Sequence, residues 1–470
     1  MSFVKKYIGD KKFYRILIIL VLPIVIQQGI TNFVSLLDNL MVGRLGTLQM
    51  SGVSIVNQII FVFNLLIFGG LSGASIYGTQ FFGVGDTKGV RDTFRFKLYF
   101  SVVAAVISVI VFATCGEDLI MLFLKSEENT PAEIAETLGY AKDYLNIIII
   151  GLIPFAIVQS YAGTLRESGE TVAPMVAGCI AIGVNLVFNY IFIFGKFGFP
   201  ALGVAGAAIA TVMSRFVELI FLVIWSHIRV DRFEFFRGVY KSIKIPAQLI
   251  WKMTLTGAPL MINEAFWSLG MTFINQSYSS RGIAIIAATN ISTTAWNLFC
   301  VVMMSMGTAI SIMVGQKLGS NDTEGAVDVD RKLIFFTFAF HILIGLLIIA
   351  SAPFIPLLYN VEPEAQAYAT KFLMISGASL PIHALVHAIY FTVRAGGRTI
   401  VTFLFDSVYT WAIPAMIAFL LCRFTALPIV WIFFIVQFSD IIKLAIGLPM
   451  LKPSFWTRCV ISDVTTKAEE

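Results

Sequence analysis

Charge is what this sequence is short of. Only 13% of its 470 residues are Asp, Glu, Lys or Arg, against about 25% in an ordinary soluble chain. A soluble domain of this length is therefore excluded. The five cysteines (115, 179, 300, 422, 459) are scattered and the histidines number four, so there is neither a disulfide framework nor a zinc spacing. Strict apolar–polar alternation, the mark of a membrane β-barrel, is missing too. So is a cleavable leader, because Lys5, Lys6, Lys11, Lys12 and Arg15 precede a long apolar stretch with no small-residue cleavage site.

What is present is hydrocarbon. Hydrophobic residues make up 58% of the chain, in unbroken runs such as LYFSVVAAVISVIVFATC and LIFFTFAFHILIGLLIIASAPFIPLL. Each is long enough to cross the roughly 30 Å membrane core as a helix. Runs and breaks predict an all-α polytopic membrane protein of about twelve spans. The first six lie near 14–40, 49–80, 94–115, 138–165, 170–195 and 201–228, the second six near 249–276, 283–316, 331–355, 365–393, 398–422 and 427–450. Lys and Arg gather at the N-terminus, near 83–97, 166–170, 317–332 and 394–398, in the 227–252 connection and at the C-terminus. The positive-inside rule then places both termini in the cytoplasm. The alternate loops, holding Lys125, Glu127, Glu128, Glu133, Glu136, Glu362 and Glu364, face outward. The net charge of +5 is thus orientation chemistry and implies no nucleic acid.

The chain repeats itself. QFFGVGDTKG at 80–89 returns as QKLGSNDTEG at 316–325, and the same offset of 236 relates Pro23 to Pro259 and Gly46 to Gly282. Further on the offset is 228, as for Arg166 and Arg394, Gly169 and Gly397, Thr171 and Thr399. Two six-helix lobes follow, on 1–228 and 249–470, joined by a cytoplasmic segment on 229–248. Duplicated halves rocking about a central site are transporter architecture.

Acids inside membrane helices are functional candidates because an unpaired one costs several kcal/mol. Asp38 is the first. Asn185 and Asn189 share a helix face four residues apart, and Thr211 reaches a similar depth. One carboxylate with amide and hydroxyl oxygens suits a hard monovalent cation or a shared proton. The alternatives are an Asp38–Arg44 pair that fixes helix ends, and plain helix–helix hydrogen bonding by the two asparagines, worth about 0.6 kcal/mol a pair. Glu264, near the middle of its span, is the second acid. With His383 and His387 on the 365–393 helix it forms a possible second-lobe site, either titrating with His383 or attracting a cationic substrate. Asp440 and Lys443 read as an i,i+3 pair, Asp406 as a brace near Arg398, and Asp86 and Asp322 as helix caps.

LDNLMVGRLGTLQMSGVSI in the first two helices resembles the multidrug and toxic compound extrusion family. So do LRESGETVAPMVAGCIAIGVNLVFNYIFIFGKFGFPALGVAGAAIATVMSR and its counterpart VRAGGRTIVTFLFDSVYTWAIP. The resemblance implies export of cationic or amphiphilic small molecules from a prokaryotic inner membrane, against Na+ or H+, by a lipid-embedded monomer with no cofactor other than a bound Na+ where sodium couples. By the same resemblance Asp38 matches the family's first-helix aspartate, Asn185 and Asn189 an Asn-xxx-Asn/Asp pair, and Thr211 a helix 6 threonine. Some relatives carry Asp at the Asn189 position and an acid near His383, so this chain has fewer carboxylates. An alternative within the same superfamily is a flippase for lipid-linked precursors, which needs a more basic cavity. An enzyme finds no nucleophile–base set here, and a receptor or scaffold does not explain the buried polar residues.

Overall fold

The computed structural model describes residues 6–124, 130–359 and 361–462, so Lys5, Lys125, Glu127 and Glu128 lie outside the described residues. Within them the chain is helical and holds no strand. The elements are α1 (Lys11–Gly43), α2 (Thr47–Val84), α3 (Thr87–Leu124), α4 (Pro131–Glu167), α5 (Val172–Phe194), α6 (Gly203–Ile228), α7 (Ala247–Ser279), α8 (Ile283–Phe299), α9 (Val301–Gly319), α10 (Thr323–Ser351), α11 (Pro363–Ala395), α12 (Thr399–Phe424) and α13 (Ile429–Leu451). Eleven described helices are long and apolar enough to span, in line with about twelve expected. The expected span over 283–316 breaks at Cys300 into α8 and α9, and of the two only α9 qualifies. α7, with 33 residues, is long enough but is not among the eleven; Lys252, Asn263, Glu264, Asn275 and Gln276 dilute its apolar stretch. α3 runs far past its expected ends, its 38 residues giving about 57 Å.

The internal repeat is written into the backbone. Gly46 and Gly282 hold φ of 142° and 128°, Gly169 and Gly397 hold 85° and 76°, and Gly85 and Asn321 hold 78° and 57°. Positive φ is where an L side chain is strained, so the conserved offset fixes the same turns twice. Asp322 caps α10, accepting from the Gly325 N–H at 2.9 Å. The Lys317 ammonium and that N–H hold its carboxyl below the usual carboxylate range.

Packing divides the chain into two compact units. One holds Leu22–Gly78 and Thr87–Ile250; the other holds Met1–Val21, Thr79–Asp86 and Trp251–Glu470. The expected lobe of 1–228 is therefore not a single packing unit. α1 changes unit beside Pro23, where the missing N–H interrupts its ladder. The 229–248 segment is no loose tether: Phe233, Phe235, Phe236 and Val239 are buried, and Arg95 donates to the Val239 carbonyl at 2.8 Å.

In the second unit, residues 79–86 are held by a reciprocal crossing. A Cβ on Gly83 would stand 2.0 Å from the Gln316 carbonyl oxygen, and one on Gly319 2.0 Å from that of Gln80. Gln80, fully buried, donates to the Ala395 and Arg458 carbonyls and accepts from the Val460 N–H. A backbone oxygen cannot rotate away, so Gly319→Ala is expected to cost about 1–3 kcal/mol by overpacking. Thermal unfolding in detergent checks this. Gly139→Ala, in a helix interior with nothing within 4 Å of its added methyl, should not lower the midpoint.

Candidate functional site

The first unit brings together Asp38, Asn185, Asn189 and Thr211. α5 and α6 form a tight antiparallel pair because Gly195 turns the chain in the left-handed region (φ 63°). Gly206 then lets the Phe192 backbone approach to where a Cβ would sit 2.7 Å away. That approach faces Thr211 toward Asn185, one turn from Asn189, and α1 adds Asp38 near its C-terminal end.

The Asn189 amide donates to Asp38 Oδ1 at 2.7 Å, the short contact expected for a charged acceptor. The Asn185 amide can be set in either of two senses, its oxygen and nitrogen exchanged. In one, its Oδ1 accepts from Asn189 at 3.1 Å and its amide donates to Thr211 Oγ1 at 3.2 Å. Its oxygen then faces both Asp38 oxygens. In the other, the amide nitrogen takes that place and donates to Asp38 Oδ1 and Oδ2 at 3.1 and 3.0 Å, while Thr211 donates to the Asn185 carbonyl. Oxygen against carboxylate at 3 Å is favourable only with a proton or cation between them. Asn189 Oδ1 is buried with no partner, an acceptor whose desolvation nothing in the protein offsets.

The surroundings are apolar. Ile193, Val204, Ala207 and Ala208 belong to the buried cluster beside the site. Arg215 attracts the Asp38 carboxylate, but no ion pair joins Asp38 to Arg44, which is exposed. The side-chain oxygens of these four residues, one of them unpartnered, fit Na+, a hard cation that takes oxygen ligands, and fit a proton shared by Asp38 and Asn185.

The second-lobe residues are not brought together as expected. His383 bonds Asp440 Oδ2 at 2.6 Å and Gln437 Oε1 at 2.9 Å, rather than Glu264. His387 packs on Phe391, ring centroids 4.7 Å apart. Glu264 makes no hydrogen bond with a described residue; Arg394 and Asp406 are the charges that act on it. The expected Asp440–Lys443 pair is replaced as well. α13 is interrupted at Ser439, whose carbonyl accepts from Tyr409 Oη at 2.6 Å. Lys443 reaches Asp406 at 2.8 Å, while Arg398 donates to the Phe455 carbonyl instead. Two ion pairs deep in the helices, Lys97–Glu167 and Lys443–Asp406, escaped the sequence reading. The available signal was a charge set inside an apolar run, as in LFDSVY.

A family model, MatE, matches residues 23–191 and 259–420. The probable multidrug resistance protein NorM of Thermotoga maritima is 25% identical over 437 residues, covering 92% of this chain and 91% of that one. The probable multidrug resistance protein YoeA of Bacillus subtilis is 24% identical over 441 residues, 92% and 93% of the two chains. Among solved structures, a MOP superfamily transporter from Pyrococcus furiosus superposes with a TM-score of 0.82 at 20% identity, covering 96% of this chain and 98% of that one. The Vibrio cholerae MATE transporter VcmN in the bent form gives 0.81 at 18%, covering 94% and 97%.

Proposed function

The chain belongs to the MatE family of multidrug efflux transporters, and from that premise we propose that it is a secondary antiporter exporting organic cations or other amphiphilic small molecules in exchange for Na+ or H+. Its family is one of transporters rather than enzymes, and its helices are those of a multi-pass prokaryotic membrane protein. In this reading both termini are cytoplasmic and one chain completes the pathway.

The observation that carries the reading is the Asn185 amide facing Asp38. With Asp38 ionised and alone, the amide nitrogen turns to it. With a proton or Na+ on Asp38, the amide oxygen turns to it. Ion occupancy therefore alters the hydrogen bonds that tie α1 to α5 and α6. An ion drives alternating access only when it binds the two states unequally, and a site built across three helices meets that condition when α1 moves. Export of ethidium from proteoliposomes, under a Na+ gradient or a pH gradient imposed separately, tests the reading and names the ion.

Asn189→Ala removes both the 2.7 Å donor and the unpartnered oxygen. Where Na+ is the coupling ion the lost oxygen is a lost ligand, so the Na+ concentration giving half-maximal export should rise about tenfold, a loss of about 1.4 kcal/mol. Equal half-saturation in the variant would take Asn189 out of the ligand set.

The flippase alternative expects a basic cavity. Of the buried bases, Lys97, Arg95 and Lys443 are each paired with an acid, which favours the exporter.

A further inference from the structure

The two halves treat the candidate ion site differently. By the offsets of 236 and 228, Asp38, Asn185 and Asn189 correspond to Ile274, Ile413 and Ile417. SRFVEL at 214–219 corresponds to SDIIKL at 439–444, an offset of 225 that sets Thr211 against Val436. All four second-half counterparts are aliphatic. Ile274, Ile417 and Val436 lie in one packed cluster of the second unit. No oxygen is left there for an ion.

The second half's polarity lies elsewhere, around Asp406. Its Oδ2 accepts from the Asn263 amide at 3.0 Å and its Oδ1 from Lys443 Nζ at 2.8 Å. Ser407 Oγ stands 2.8 Å from Asn263 Oδ1, and Tyr390 Oη 3.4 Å from the Asn263 amide. The turn Leu404–Val408 is a π-turn, a widened helical turn frequent at functional sites. The Lys443 side chain is 8% exposed, and its ammonium also lies over the rings of Phe405 and Tyr409, 5.3 and 5.4 Å from their centroids. In the first half the counterpart of Asp406 is Gly178, and the space is taken by Gln27, the counterpart of Asn263, 2.7 Å from where a Cβ would stand. The counterpart of Lys443 is Glu218. The carboxylate and its cation thus occur together in one half only.

We infer that Lys443 is a resident cation, holding at Asp406 the place of a mobile one, so that the chain takes up one exchangeable cation and not two. Removing the ammonium opens a second cation site at Asp406 Oδ1, the oxygen it now holds. The meaning of this for antiport rests on the function proposed above, but the test does not. It uses the purified full chain with Asp38→Asn, so that the first-half site does not respond.

Thermal unfolding is followed in Na+, Li+, K+ and choline chloride at equal ionic strength. Adding Lys443→Met should make the midpoint rise by several degrees in Na+ or Li+ over choline, since a ligand bound only by the native state stabilises it. Asp38→Asn alone, and Asp38→Asn/Lys443→Met/Asp406→Asn, should be indifferent to the cation. A response in Asp38→Asn alone would show a second mobile cation already present and overturn the inference. A folded Lys443→Met variant indifferent to every salt, its carboxyl simply taking a proton, overturns it too. So does a variant that folds in none of the salts, whether or not the added Asp406→Asn restores folding, because no outside cation then replaces the ammonium.

Discussion

Asp38→Asn protein in liposomes should export ethidium no faster than the passive leak, whichever gradient is imposed, while expressing and unfolding like the unsubstituted chain. The substitution keeps the shape of the side chain and an oxygen to accept from Asn189, now 2.7 Å from Asp38 Oδ1, so little packing is disturbed. What goes is the only carboxylate of the four-residue site. A neutral amide neither takes up a proton near neutral pH nor offsets the desolvation of a cation in an apolar setting. A hundredfold loss of differential affinity, about 2.7 kcal/mol, removes half of the roughly 5.5 kcal/mol that a full reversal of a two-state equilibrium needs, so the ion no longer completes the switch. In the unsubstituted protein, flux driven by the Na+ gradient alone would identify sodium as the coupling ion, and flux driven by the pH gradient alone would identify the proton. Unchanged flux in the variant would remove Asp38 from the mechanism.

The largest effect on stability is expected from Lys97→Met. Lys97 is 1% exposed, bonds both oxygens of Glu167 and lies 3.4 Å from Thr164 Oγ1. Gly78 makes room for the pair, a Cβ there falling 2.4 Å from Glu167 Oε2. Deleting one partner leaves a buried charge uncompensated, at a cost of about 3–5 kcal/mol, whereas apolar replacement of both is often neutral or better. Lys97→Met should therefore be strongly destabilised in reversible unfolding in mixed micelles, and Lys97→Met/Glu167→Met should recover most of the loss. The double-mutant cycle isolates the coupling. A single variant as stable as the unsubstituted chain would show that Glu167 is relieved by water or a proton and that the pair contributes nothing.

Much of this molecule is legible without its coordinates. Long apolar runs admit one spanning structure once β alternation is absent, because a backbone in hydrocarbon must satisfy its own hydrogen bonds. The repeat is legible because positive-φ turns such as Gly46 and Gly282 tolerate few residues. Asp38, Asn185, Asn189 and Thr211 could be grouped since a carboxylate in an apolar helix needs partners and a spacing of four puts both asparagines on one face.

Other features depend on distances the sequence does not encode. Sequence spacing predicts neighbours only along one helix, and it joined Asp440 to Lys443. A break at Ser439 and the rotation of α13 send Asp440 to His383 and Lys443 to Asp406, pairs separated by 57 and 37 residues. Lys97 and Glu167 are 70 apart, and nothing local in either helix names the other. The division of α1 between two packing units and the split of the expected 283–316 span at Cys300 belong to the same class. The chain by itself determined the helices, the duplication and which polar groups needed partners. Only tertiary packing decided which partner each one found, because that depends on how each helix is rotated about its axis and where it breaks.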